Sequence, residues 1–372
     1  VDFCSDNSIS FVPPKADEFE LAIFGPGVGE CILMHLGDGN WFVIDSCRFP
    51  RSKTPAAIAY LEKLKINPSS AIQSILATHW HDDHVNGLAD IVRRCPQATF
   101  AMSAALEQKQ FFQLVYEANE SNKLVEASST ASEFADILDH FAETGRGIVA
   151  PGVFASEGTI LYLGGVDESV RVQALSPSSA AITSCKTDVV AKLMTNSTTR
   201  CFRRFDPNDL SVAVQVSTPG LDLLLKADLE NSDSKQLGWQ AVLSSKVRTK
   251  RTSQLVKVGH HGSVNAHNDD AWSSMVAPNP LAVVTPYSRL ADPLPREYDI
   301  QRIKSLTNQL YVTTWPPSSR PPRRRGVDSD VGSATKVRRA RHREPGFVRV
   351  RFSIKQTPST PTIEFYGSAK QL

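Results

Sequence analysis

The chain has 372 residues, 41% hydrophobic and 22% charged, a composition that fits a globular protein with a substantial core. No apolar run approaches the roughly 18 residues needed to cross a bilayer, and the opening "VDFCSDNSIS" has neither a basic nor an apolar signal region, so neither a membrane span nor a secretory leader is read. The formal net charge is +2, yet Ser318 to Pro345 alone hold nine Lys/Arg against three Asp/Glu, which leaves the remainder net acidic.

In chain order, "FELAIFG", "ECILMHLG" and "NWFVIDSC" are short apolar runs that predict strands, the last two joined by a hairpin turn at "GDGN". "TPAAIAYLEKLKI" predicts a helix with Thr54 as N-cap, Pro55 in the first helical position, and Ile58, Leu61 and Leu64 on one face. "AIQSILATHWHDDH" predicts a buried strand running into a cluster of His and Asp, and "VNGLADIVRRC" a helix leaving it. Two more helices are expected over 104–120 and 130–145, the second with Phe134, Ile137, Leu138 and Phe141 as its apolar stripe. Residues 165–207, with Ser, Thr and Pro common, are expected to be mostly loop.

From 210 the pattern returns to strands: "LSVAVQVST", "LDLLLKADLE", "QLVKVGHHGS", "LAVVTPY", "QLYVTTW", "FVRVRFSIK" and "TIEFYGS". In "FVRVRFSIK" the apolar Val348, Val350, Phe352 and Ile354 alternate with Arg349, Arg351, Ser353 and Lys355, which predicts one buried face and one basic, solvated face. A β-rich half, helices and a second β-rich half suit an α/β architecture of two sheets packed face to face with helices outside. The expected organisation is a core over 1–317, a basic insertion over 318–345 and, over 346–372, strands that complete the core. The insertion has no apolar residue larger than Val and cannot bury a core of its own. The strands it joins, "QLYVTTW" and "FVRVRFSIK", are expected to pair with each other.

The six cysteines, at 4, 31, 47, 95, 185 and 201, form no CxxC pair and read as reduced thiols of a cytoplasmic protein. A metal, if held, is therefore held by His and Asp. Alternate residues of an extended chain share a face, so His79 and His81 can point together, while Asp83 and His84 swing to a second point as the chain turns. The spacing offers ligands to two cations, and imidazole with carboxylate suits zinc, manganese or iron. Asp82 is expected to face solvent or position the turn. Asp228 closes a later strand as a candidate bridge, and His260 and His261 close the next; either of that pair could be the ligand. Asp45, also at a strand end, is expected to hydrogen-bond a ligand imidazole. His35, His267 and His342 read as structural or exposed.

His79, His81, Asp83 and His84 match the HxHxDH signature of the metallo-β-lactamase fold, a four-layered αββα sandwich. The later pattern resembles that superfamily's branch of ComEC/Rec2-type competence hydrolases: Asn208 to Ser211, then Asp228, then "HHGS" at 260–263. Two departures stand out. The extra ligand histidine of many relatives outside that branch has no counterpart but His140, which lies off its helix's apolar stripe and reads as a surface residue. Ala227 replaces the usual Gly before Asp228, tolerable if the backbone there is ordinary β.

The resemblance implies a metal-dependent hydrolase with two divalent cations, Zn²⁺ or Mn²⁺, and Asp83, Asp228, His260 and His261 in the chemistry. Its favoured substrate is a nucleic-acid phosphodiester, bound through Arg323, Arg324 and Arg325 of the insertion with Lys257 and Ser263 nearby. Two other readings remain at this point. One is a small-molecule hydrolase acting on a cyclic nucleotide, lactone or ester. The other is a protease-activated switch, resembling anti-phage systems that pair such a hydrolase with a protease and a sensor ATPase. No membrane partner is expected.

Overall fold

The computed structural model describes residues 11–107, 115–116, 129–145, 152–165, 168–193, 207–289, 293–316, 346–356 and 358–372. The first sheet runs β15-β14-β1-β2-β3-β4-β5-β6, with β1 at Glu18–Gly25, β2 at Cys31–His35, β3 at Trp41–Ile44, β4 at Ile72–Ala77, β5 at Thr99–Ser103, β6 at Gly152–Ala155, β14 at Gly346–Ser353 and β15 at Thr362–Tyr366. The second runs β16-β13-β12-β11-β10-β9-β8-β7, with β7 at Ile160–Gly164, β8 at Val170–Ala174, β9 at Val214–Ser217, β10 at Asp222–Leu225, β11 at Ser253–Lys257, β12 at Val276–Val284, β13 at Leu310–Val312 and β16 at Lys370–Gln371. The α-helices of the described residues are α1 (Ala56–Lys63), α2 (Pro68–Ala71), α3 (Asp82–Val85), α4 (Leu88–Arg94), α5 (Ser129–Glu143), α6 (Ser179–Leu193), α7 (Gly238–Ser244), α8 (Asp269–Met275) and α9 (Glu297–Lys304).

Because strand side chains alternate between faces, each sheet can be apolar on both sides only if both are covered. Leu21, Ile23, Phe42 and Leu76 of the first sheet meet Val214, Leu223, Leu255 and Val283 of the second in a core between the sheets. Their neighbours Ala22, Phe24, Val43 and Ile75 turn outward against Ile58, Leu61, Leu88 and Ile91 of α1 and α4. On the far side Leu224, Val256 and Ala282 pack under Trp239 of α7 and Trp272 of α8. The result is the four-layered αββα sandwich expected from the sequence.

Several expectations are corrected. Strand β8 and helix α6 occupy much of 165–207, where a loop was expected. Helix α1 starts one residue later than read: Pro55 is the N-cap, and no side chain caps it. The expected solvated face of β14 is covered, since Arg349 is buried with its guanidinium on Glu364 and the Tyr60 hydroxyl, and Arg351 pairs with Glu20. Strands β13 and β14 do not pair but lie in different sheets, each beside other partners. The segment 318–345 and most of the helix expected over 104–120 lie outside the described residues.

Candidate metal centre

Strands β3 and β4 pair in parallel, as do β10 and β11, so the ends of all four can reach one rim of the sandwich. Strand β9 runs antiparallel to β10, which brings the residues preceding it, Asn208 to Ser211, to the same rim. Across the gap between sheets, Val212 N–H donates to the Thr78 carbonyl; along the second sheet's own rim, Asp228 N–H donates to the Ser211 hydroxyl.

Hydrogen bonds fix which face each imidazole presents. Asp45, just past β3 at φ +59°, accepts from the Thr78 N–H and hydroxyl, each at 2.8 Å, and from His84 Nδ1–H at 2.7 Å. With its proton given to Asp45, the Thr78 hydroxyl accepts from His79 Nδ1–H at 2.9 Å. His261 Nδ1–H donates to the Thr285 carbonyl at 2.8 Å. All three rings thereby carry their lone pair on Nε2, which is how a neighbour sets a metal-binding tautomer.

Two of those Nε2 atoms converge on the carboxylates of Asp83 and Asp228. His84 Nε2 lies 3.3 Å from Asp228 Oδ2 and 3.7 Å from Asp83 Oδ2; His261 Nε2 lies 2.9 Å from Asp83 Oδ2 and 3.8 Å from Asp228 Oδ2. Ligands bound about 2.0–2.1 Å from one tetrahedral ion stand about 3.3 Å apart, so four such atoms fit a single cation. His79 Nε2 faces His81 Nδ1 at 3.1 Å, a second pair turned toward each other. Lone pairs pointed at carboxylate oxygens repel unless a proton or a metal lies between them. His84 Nε2 and Asp228 Oδ1 are buried without a hydrogen-bond partner, and these are the atoms a cation would satisfy.

The electrostatics agree. Burial alone would depress the His84 pKa, but Asp228, Asp83, Asp45 and Glu30 overcome it and hold the ring well above the usual histidine range. The position therefore favours positive charge. His79, fully buried and beside two other imidazoles, is pushed well below that range.

Each expected residue can now be placed. His79, His81, Asp83, His84, Asp228 and His261 gather at the rim, and Asp45 supports His84 from behind. Of the pair left open, His261 is buried in the cluster. The His260 side chain is 19% exposed, with Nδ1 2.7 Å from Glu230 Oε1 but off the line of a hydrogen bond. Asp82 is exposed, the first of the two expectations for it, and accepts from the Thr130 N–H of α5 at 2.8 Å. Lys257 is corrected: it is fully buried with its ammonium on Glu30, so it offers nothing to a substrate at the rim. Ser263 is corrected as well, being buried with its hydroxyl on the Asn265 N–H. Ala227 has φ +43°, the left-handed region and not the ordinary β expected, a conformation that glycine adopts without a Cβ penalty.

His35 is buried between Glu18 and Gly39, and His267 pairs with Asp269, both away from the centre. His140 is half-buried on α5 beside Phe141. Arg323, Arg324, Arg325 and His342 lie outside the described residues. Cys31, Cys47, Cys95 and Cys185 are buried.

Sequence reading missed Glu30, Glu230 and Arg302. Glu30, His84, Asp228 and His261 each offer one atom within 4.8 Å of the others, so Glu30 belongs to the same cluster. Both its oxygens are already held, one by Lys257 at 2.5 Å and one by the Thr285 hydroxyl at 2.6 Å, on the Nδ1 side of the rings. Arg302 holds the Gly262 carbonyl at 2.6 Å and so braces the His260–His261 turn. The only early sign of Glu30 was a charged residue heading an apolar strand after "GPGVG".

Residues 24–155 match the metallo-beta-lactamase superfamily. That stretch runs from the end of β1 to β6 and includes Glu30, Asp45 and the whole HxHxDH cluster. Asp228 and His261, which complete the centre, come from the second sheet beyond it. No curated protein matches the chain. The αββα sandwich thus brings the HxHxDH residues to one rim, beside Asp228 and His261 of the second sheet.

Proposed function

We propose that the chain is a metal-dependent hydrolase that cleaves phosphodiester bonds of DNA or RNA. Asp83, His84, His261 and Asp228 would hold one divalent cation, zinc or manganese, and His79, His81 and Asp228 the other. The observation that carries this reading is the convergence of the His84 and His261 Nε2 lone pairs with two carboxylates, each ring locked by a bond to its far nitrogen, with the His79–His81 pair alongside. Two bound cations would supply a water acidic enough to attack at neutral pH and would polarise the phosphoryl oxygen.

The chain's own groups do the rest. Asp45 and Thr78 hold His84 and His79 in orientation, and the Thr285 carbonyl does so for His261. His260, with Nδ1 beside Glu230, leaves Nε2 as the atom that can pass a proton to a departing oxygen. Asn208 Nδ2 donates to Glu230 Oε1 at 3.0 Å and steadies that carboxylate. The phosphodiester assignment draws on the resemblance to competence hydrolases and on the Arg-rich 318–345 segment, an electrostatic footprint for phosphates.

The test uses the full chain, stripped by chelator and reloaded with Mn²⁺ or Zn²⁺. Single- and double-stranded DNA and RNA, bis-p-nitrophenyl phosphate and a lactone are the substrates. Phosphodiester cleavage is expected, and Asp83→Ala and Asp228→Ala should each lower it at least about a hundredfold, at or beyond the upper range for losing an outer partner of a ligand. Lactone turnover without phosphodiester turnover, or full activity in either variant, overturns the reading.

A further inference from the structure

Glu30 and Lys257 form an ion pair with both side chains almost fully buried, the ammonium 2.5 Å from the carboxylate. The partners come from different sheets: Glu30 immediately precedes β2, and Lys257 is the last residue of β11. The pair sits directly behind two of the candidate ligands, with Glu30 oxygens 3.9 Å from His84 Nδ1 and 3.7 Å from His261 Nδ1. Glu30 also donates its backbone N–H to the Asp83 carbonyl at 2.9 Å, and Thr285, whose carbonyl orients His261, donates its hydroxyl to Glu30. A side chain at residue 29 would come 2.8 Å from that same Asp83 carbonyl, so Gly29 (φ +95°) permits the approach.

Glu30 is thus in touch with the segments carrying Asp83, His84 and His261 at once, and Lys257 cancels its charge. We infer that the Glu30–Lys257 pair is a charge-balanced latch that joins the two halves of the metal centre and sets its affinity for a cation, with Glu30 a positioning residue rather than a ligand. This rests on the metal-centre reading above. An unpaired charge at this depth has little water to screen it, so removing either partner alters the charge seen by an ion on the far side of the two imidazoles. The sign of the effect differs by partner, which separates the latch from simple packing.

The experiment measures Zn²⁺ and Mn²⁺ affinity and stoichiometry by competition with a chromophoric chelator, on the stripped full chain and three near-isosteric variants. Glu30→Gln leaves the ammonium unpaired and should weaken the tighter site about 10- to 100-fold, the range for outer partners of metal ligands. Lys257→Met leaves the carboxylate unpaired and should hold the ion at least as tightly as the native chain. The double variant, neutral again, should return to within about threefold of native affinity, and it serves as the test if a single variant does not fold. Equal weakening in all three variants overturns the latch in favour of plain packing. A double variant as weak as Glu30→Gln overturns it in favour of Glu30 as a ligand. A native chain that takes up no ion sinks the metal reading itself, and the latch with it.

Discussion

Ala227 carries its side chain on a left-handed backbone, at φ +43°. A residue with a Cβ in the left-handed region costs about 1–2 kcal/mol, part of which glycine would give back through its freer unfolded chain. Ala227→Gly should therefore stabilise the fold by roughly 0.5–1 kcal/mol, seen as a rise in Tm of about 1–2 °C with unchanged metal stoichiometry. A lower Tm would show that the positive φ is held at no cost. Asp45, His260 and His261 share such conformations (φ +59°, +45° and +53°), so backbone strain gathers around the centre. At this scale the sequence was most legible where ligands lie close together. The spacing of His79, His81, Asp83 and His84 announces a site because its chemistry is written within six residues. Glu30 and Lys257 are 227 positions apart and meet only after the sheets dock, so nothing local marks them as partners. The choice between His260 and His261 turned on a backbone kink that no spacing rule encodes.

Among the elements, the β2–β3 hairpin depends on a neutral histidine. His35 donates from Nδ1 to the Glu18 carbonyl at 2.7 Å and accepts at Nε2 from the Gly39 N–H at 2.9 Å, an arrangement a second ring proton would break. Burial holds its pKa below the usual value of 6.5. A depressed folded pKa means the unfolded chain binds the proton more readily. The stability His35 contributes is thus complete above about pH 6.5 and is lost as pH falls, by at most about 1.4 kcal/mol per unit. Unfolding free energies of the native chain and His35→Gln, compared from pH 7.5 to 5, should converge at low pH; a constant difference would mean the ring is not neutral at the turn. The strands themselves were legible from apolar runs, because both faces of both sheets are buried. Strand β14 misled for the same reason. Alternating Arg and Val reads as a wet face and a dry one, yet Arg349 lies under Tyr60 of α1 with Glu364 as counterion. Pairing, not exposure, is what keeps its charge.

For the whole molecule, the sandwich was legible from the order of its halves, whereas the placement of β13 and β14 was not. Apolar runs identify strands but not their sheet, and proximity in sequence suggested a pairing that the docked sheets replace. Gly346 at the start of β14 nevertheless packs against the backbone of Thr313, just past β13, where an added Cβ would come within 2.3 Å of the carbonyl oxygen. The described chain therefore leaves the second sheet and enters the first at nearly the same place, and a linker of a few residues can join them. Replacing 318–345 with such a linker should leave Tm and metal stoichiometry unchanged, because no metal-centre residue lies within it. What it removes is nine Lys/Arg against three Asp/Glu, turning a chain of net charge +2 into an acidic one. If these residues bind phosphates, each phosphate no longer neutralised makes the slope of log K against log salt shallower by about 0.9 on duplex DNA. The shortened chain should bind DNA and RNA more weakly with a flatter salt dependence, while its turnover of bis-p-nitrophenyl phosphate, which needs no such grip on a polymer, stays the same. Unchanged nucleic-acid affinity and slope would remove the charge argument for a polymeric substrate and turn the metal centre toward small phosphodiesters or esters. A rise in turnover on the small substrate would mean instead that the segment restrains the site it was expected to serve.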